Sequence, residues 1–302
     1  MINKGEQAAT RLYKKGEVNV NEDKIKHIMA QVKSFPGMPA TAAKLLKMLK
    51  DTESTSAQIE EVLRYDAGLT ANILKLTNSA YFGIPSKVSS VKQAIMMLGW
   101  KRVMQLVMTM CMSGVMKKPV PGYDLPQGAL WRHSVAVSVA AEAVVKALKI
   151  PQAEEVFTAA LLHDVGKLVL GGFVKDDIEQ IEAMVIKGIP FEVAEYIVIG
   201  TDHAEIGARI LKKWDFPENL VNAVGWHHDP ETCENYCTLS DIVHIADTIG
   251  LRIGFGSGQS GIEVEPSVSV TDRLGLEPVD IEMLTEQTLE SVNKLSDHLL
   301  AG

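Results

Sequence analysis

Residues 160–170 read A-L-L-H-D-V-G-K-L-V-L, which sets a histidine, an aspartate and a lysine in an otherwise apolar helical run. An isolated carboxylate buried in such a run costs several kcal/mol or shifts its pKa until it is neutral. His163 and Asp164 therefore need partners: hydrogen bonds, ion pairs or a bound cation. Where those partners lie decides how the rest of the chain must fold.

Nearly every other segment also has helical period, and convincing strand alternation is absent, so the expected fold class is all-α. Helices are expected over 23–34, from 40, from 56, and from a cap at Asp66 to Asn78-Ser79. They continue from a cap at Ser90 to Gly99 and over the methionine-rich Trp100 to Met116, which reads as a core helix. Lys117 to Gly128 holds three prolines and two glycines and reads as a linker between two helical lobes. Beyond it the spacing predicts helices over 129–148, 153–165, 176–187, 191–199, 203–213, 218–227 and 238–249. Residues 251–271 include G-F-G-S-G-Q-S-G and read as a flexible loop, followed by a final amphipathic helix over 279–299.

The 302 residues are 46% hydrophobic, enough for a sizeable core, and the formal charge of -8 argues against a nucleic-acid partner. No secretory signal pattern and no apolar stretch of spanning length is present, so a cytoplasmic protein without a membrane partner is expected. Cys111, Cys233 and Cys237 are too few and too scattered for a disulfide framework. Cys233 and Cys237 alone do not make a convincing metal site, since no second thiol pair exists.

Five of the eight histidines form a series in the second lobe with two aspartates, in the order His133, His163-Asp164, His203, His227-His228, Asp247. They converge only if their helices form a bundle with these side chains inward, the usual way an all-α core builds a metal site. Imidazoles with carboxylates suit Fe, Mn, Zn or Ni better than Ca or Mg. His244, three residues before Asp247, reads as structural; Asp202 reads as a helix cap, and His27 and His298 as surface residues.

The order H…HD…H…HH…D resembles the HD superfamily of metal-dependent phosphohydrolases, and H-D-V-G-K is similar to the corresponding segment of its HD-GYP branch. S-F-P-G-M-P-A-T-A-A-K-L-L-K, D-A-G-L-T-A-N-I-L-K-L-T-N-S-A-Y-F-G and V-S-S-V-K-Q-A-I-M-M-L-G-W-K-R-V look like the HDOD family over about residues 21–250. The resemblance implies a tail over 1–20 and an HDOD domain of two packed lobes over 21–120 and 121–250, the second an HD-like bundle. A loop and C-terminal helix follow over 251–302. It also implies two divalent transition-metal ions, iron or manganese before zinc or nickel. His133, His163, Asp164 and Asp247 would hold one; Asp164 would bridge to a second on His203, His227 and His228. Asp164 and Lys167 are the candidate catalytic pair, with Lys167 orienting a phosphate or simply pairing with a carboxylate. The sequence departs from HD-GYP proteins after His228, where D-P-E-T-C-E-N-Y-C replaces the G-Y-P loop, which argues against cyclic-di-GMP hydrolysis. The expected role is signalling or regulation through a protein partner or a phosphorylated small molecule, with phosphohydrolase activity as the alternative.

Overall fold

The computed structural model describes residues 22–50, 55–64, 66–150, 155–233, 238–256 and 265–295. Among the described residues all regular structure is helical, apart from one isolated bridge between Val120 and Leu125. In chain order the helices are α1 (Glu22–Ser34), α2 (Ala40–Lys50), α3 (Ser56–Arg64), α4 (Ala67–Thr77), α5 (Val91–Leu98), α6 (Trp100–Met116), α7 (Ala129–Leu148) and α8 (Val156–Leu162). They continue with α9 (Lys167–Val185), α10 (Phe191–Ile199), α11 (His203–Lys213), α12 (Glu218–Gly225), α13 (Thr238–Arg252), α14 (Val268–Leu274) and α15 (Pro278–Leu295).

Local chemistry sets several of these ends. Asp66 Oδ1 accepts from Leu69 N at 2.9 Å and Ser90 Oγ from Gln93 N at 3.2 Å, so side-chain caps start α4 and α5. Asn78 closes α4 by donating from Nδ2 to Leu74 O at 2.7 Å, and it fastens the next loop through Val88 N and O, both at 2.8 Å.

Two apolar cores share α6. Val103, Met104 and Val107 join Leu45, Ile59, Leu63 and Ile73 in the smaller core. Met108, Met112 and Met116 join the larger core with Trp131, Leu161 and Ile245. Each of these methionines is at most 1% exposed, worth about 1.5–3 kcal/mol of burial apiece. In the larger core α7 is the central rod, with α8, α13 and α15 packed on it.

Helix α1 docks on α9 and α11 of the second lobe. Lys24 pairs with Asp177 at 2.6 Å, and Lys213 Nζ donates to Lys33 O at 2.6 Å and Phe35 O at 2.7 Å, closing the C-terminal end of α1. The chain from α8 through α9, Val156–Val185, is long and apolar enough to cross a membrane, but it is mostly buried inside this fold and serves as core.

The structure corrects four boundaries. Helices expected over 153–165 and 176–187 are instead α8, ending at Leu162, and α9, beginning at Lys167, so His163 to Gly166 form a turn between them. The turn is tight because a Cβ on Gly166 would lie 1.9 Å from His203 O and 2.6 Å from Gly207 N; only glycine lets α11 come that close. The expected linker at 117–128 is packed, with Val120, Tyr123 and Leu125 buried against α9. Helix α12 stops at Gly225, two residues before His227. Helix α14 begins at Val268, inside the expected loop. The N-terminal tail, Cys237, His298 and residues 257–264 lie outside the described residues.

Candidate metal centre

The seven residues singled out from the sequence meet in one place. His133 comes from the first turns of α7, His163 and Asp164 from the turn after α8, His203 from the start of α11, His227 and His228 from the segment after α12, and Asp247 from α13. Six of them are at most 8% exposed and His228 is half-buried.

The donor atoms divide into two halves. In one, His133 Nε2 lies 3.2 Å from His163 Nε2 and 3.1 Å from Asp247 Oδ1, and His163 Nε2 lies 3.4 Å from Asp164 Oδ2. In the other, His203 Nε2 lies 2.8 Å from His228 Nε2 and 3.3 Å from Asp164 Oδ1, while the His227 ring lies tilted against His228 at 4.0 Å between centroids. Asp164 thus turns one carboxylate oxygen to each half.

Backbone carbonyls assign the histidine protons. His163 Nδ1 lies 2.7 Å from Ala160 O, His227 Nδ1 2.7 Å from Val224 O, and His133 Nδ1 bonds Phe255 O. A carbonyl only accepts, so each Nδ1 carries a proton and each ring, when neutral as a metal ligand must be, points its Nε2 lone pair inward. Lone pairs of three imidazoles and the oxygens of two carboxylates therefore face one another. That concentration of acceptors is unfavourable alone and is what a cation with nitrogen and oxygen preferences neutralises. His227 Nε2 is buried with no hydrogen-bond partner, as a ligand atom is before its ion arrives.

Without an ion, protons on the cluster supply part of that positive charge. Burial pushes His227 down to about 3, reinforced by His163 and His203, so it stays neutral. Burial likewise lowers His163, but Asp164 and Asp247 outweigh it and bring it up to about 10. Burial would raise Asp164, yet the His163, Lys167 and His203 cations hold it well below the usual carboxylate range. Burial would raise Asp247 as well, but His133 and His163 hold it low, so both aspartates are ionised, as ligands must be.

Lys167 is 4% exposed, donates to Asp164 Oδ2 at 2.7 Å and lies 5.4 Å over the Tyr123 ring. It pairs with the carboxylate here, one of the two roles considered from the sequence. Asp202 accepts from Glu205 N at 2.8 Å and caps α11. His244 donates from Nδ1 to His227 O at 2.8 Å and accepts from Ser267 N at 3.0 Å, so it braces the His227 segment and is no ligand. His27 is exposed on α1.

Sequence reasoning missed Glu195. Fully buried on α10, it accepts from His203 Nδ1 at 2.7 Å and His203 N at 3.1 Å, fixing that ring so that Nε2 faces the cluster. Its signal was there: an acid inside F-E-V-A-E-Y-I-V-I, the same anomaly that marks Asp247.

Comparison with known proteins fits this geometry. The HDOD domain family matches residues 35–230. An uncharacterised protein of Treponema pallidum (strain Nichols) is 26% identical over 261 residues, covering 84% of this chain and 49% of its own. The chain thus spans about half the length of that curated relative. Among solved structures, a candidate phosphohydrolase from Shewanella amazonensis SB2B superposes with a TM-score of 0.69 at 25% identity, over 90% of this chain and 97% of its own. An HDOD domain protein of unknown function from Geobacter sulfurreducens gives 0.73 at 23% identity, over 91% and 99%. The first-lobe motifs and the HD-type ligand order therefore have a common explanation: the chain belongs to the HDOD family.

Proposed function

We propose that the chain is a metal-loaded HDOD regulatory protein. In this reading His133, His163, Asp164 and Asp247 hold one divalent transition-metal ion, and His203, His227 and His228 hold a second that shares Asp164. Iron or manganese are the expected ions, then zinc or nickel. The observation that carries it is the split carboxylate of Asp164, with Oδ2 3.4 Å from His163 Nε2 and Oδ1 3.3 Å from His203 Nε2. When bound, such ions supply Lewis acidity toward phosphoryl oxygens. The chain's own residues do the rest: Glu195 orients His203, backbone carbonyls orient His133, His163 and His227, and Lys167 holds Asp164 ionised. The near-complete burial of the ligands favours a centre that stabilises the lobe and responds to a signal, with a protein partner or a phosphorylated small molecule as its counterpart. A cytoplasmic setting is part of the same reading, supported by the free thiol of Cys111.

Titration of the metal-free chain with Mn2+, Fe2+ and Zn2+ by calorimetry under nitrogen tests it. Stoichiometry near two, with a rise in thermal midpoint, is expected; no saturable binding of any of the three refutes it.

The second reading is a working phosphohydrolase. It is favoured by Lys167, a buried ammonium 2.7 Å from Asp164 Oδ2, whose further protons would serve a phosphate oxygen. Metal-dependent turnover of bis(p-nitrophenyl) phosphate, lost in a folded Asp164→Ala variant, would establish it.

A further inference from the structure

We propose that a cavity between the two lobes, remote in sequence from most of the metal centre, binds a phosphorylated small molecule of mononucleotide size. Lys75 and Lys117 take its phosphate, while Asp66 and Asn72 take polar groups of its base. The cavity measures about 540 Å3, within the range of small-molecule sites. Its walls come from α4, α6 and the start of α7.

Asn72 and Lys75 lie one turn apart on α4, Asp66 caps its start, and all three line the cavity. Across from them Ser113 and Lys117 sit one turn apart at the end of α6. Neither Lys75 nor Lys117 makes an ion pair with any described residue, so the cavity holds two uncommitted ammonium groups against the single carboxylate of Asp66. Asp66 Oδ1 is engaged with Leu69 N, which leaves its second oxygen to accept from a ring or exocyclic N–H. Leu69, Leu76 and Met110 give the apolar surface a base requires.

Two other cavities suit an anion less well. One, between α10 and α12, is lined by Asp202, Glu205 and Asp229. At another, beside Tyr81 and Phe82, the Arg102 guanidinium is already paired with Glu142. Trp131, two residues before His133 on α7, also lines the inter-lobe cavity. The proposal nevertheless stands without a loaded metal centre.

Calorimetry or equilibrium dialysis of the full chain with AMP and GMP, and with inorganic phosphate for comparison, tests it. Saturable one-to-one binding of a mononucleotide is expected, weakened at least tenfold in Lys75→Ala/Lys117→Ala and in the single variant Lys75→Glu at unchanged thermal midpoint. Binding should persist in Asp164→Ala. No saturable binding, binding indifferent to the lysines, or inorganic phosphate bound as tightly as the mononucleotides would each overturn the proposal. Binding lost only in Asp164→Ala would move the nucleotide to the metal centre and overturn it as well.

Discussion

Replacing Gly166 by alanine attacks the closest approach in the site. The new Cβ would stand 1.9 Å from His203 O and 2.6 Å from Gly207 N, whereas ordinary contact begins at 3.4 Å. Both obstacles are backbone atoms, so no rotamer relieves them and α11 must retreat by about 1.5 Å. His203 Nε2 is now 3.3 Å from Asp164 Oδ1, and the same retreat would take that span toward about 5 Å. Two ligands on one ion at about 2.0–2.2 Å each cannot be more than about 4.4 Å apart, so His203 would leave any ion it shares with Asp164. Overpacking of this kind costs about 1–3 kcal/mol, and a rigid backbone obstacle puts it at the upper end. At about 2–4 °C per kcal/mol the thermal midpoint should fall by roughly 6–12 °C. Differential scanning calorimetry with metal analysis of the same sample reads both effects. Gly172→Ala is the control, since nothing lies within 4 Å of a Cβ there; it should be neutral or gain up to about 1 kcal/mol. A Gly166→Ala protein with wild-type midpoint and metal content would refute the reasoning.

Glu195→Gln removes the charge that orients His203 and should weaken metal binding about 10–100-fold by chelator competition; affinity unchanged within error would deny Glu195 that role. Burial, then the charge of Asp66, pushes the Cys111 thiol up to about 11. Its thiolate fraction at pH 8 is therefore about 100-fold below that of a thiol at the ordinary 9.0, and peptide-resolved alkylation of Cys111 should keep rising with pH to about 11; a plateau near pH 9 would contradict this. Arg102 pairs with Glu142, donates to Tyr81 Oη at 2.9 Å and lies over the Phe82 and Phe157 rings, joining the first lobe to α7. Arg102→Ala should cost about 2–3 kcal/mol in urea unfolding, with packing and charge both lost.

How much of this was legible depends on what kind of signal each residue leaves. Helical period announced the all-α fold, and Asp66, Ser90 and Asp202 announced their helix starts, because a cap is a local event. The ligands were legible because a polar residue inside an apolar segment has no local excuse. Glu195 left the same trace, but a lone acid carries no ligand spacing, and its role appears only when α10 brings it to His203 Nδ1. The turn at 163–166 was not legible: G-K-L-V-L-G-G continues the helical pattern, and the need for glycine at 166 comes from His203, 37 residues away. Tyr123 and its neighbours were likewise hidden, since prolines and glycines signal a turn but not whether that turn is packed. The docking of α1 on the second lobe rests on Lys213 reaching the carbonyls of residues 33 and 35, a pairing that no periodicity encodes.

The most direct measurement is the metal content, by mass spectrometry, of the chain purified without added metal or chelator, beside Asp164→Ala and His227→Ala variants checked for folding by circular dichroism. Close to two first-row transition-metal ions per chain, lost in the folded variants, is the predicted result. Background metal in all three, persisting after anaerobic reconstitution with iron, manganese and zinc, would contradict the metal centre itself.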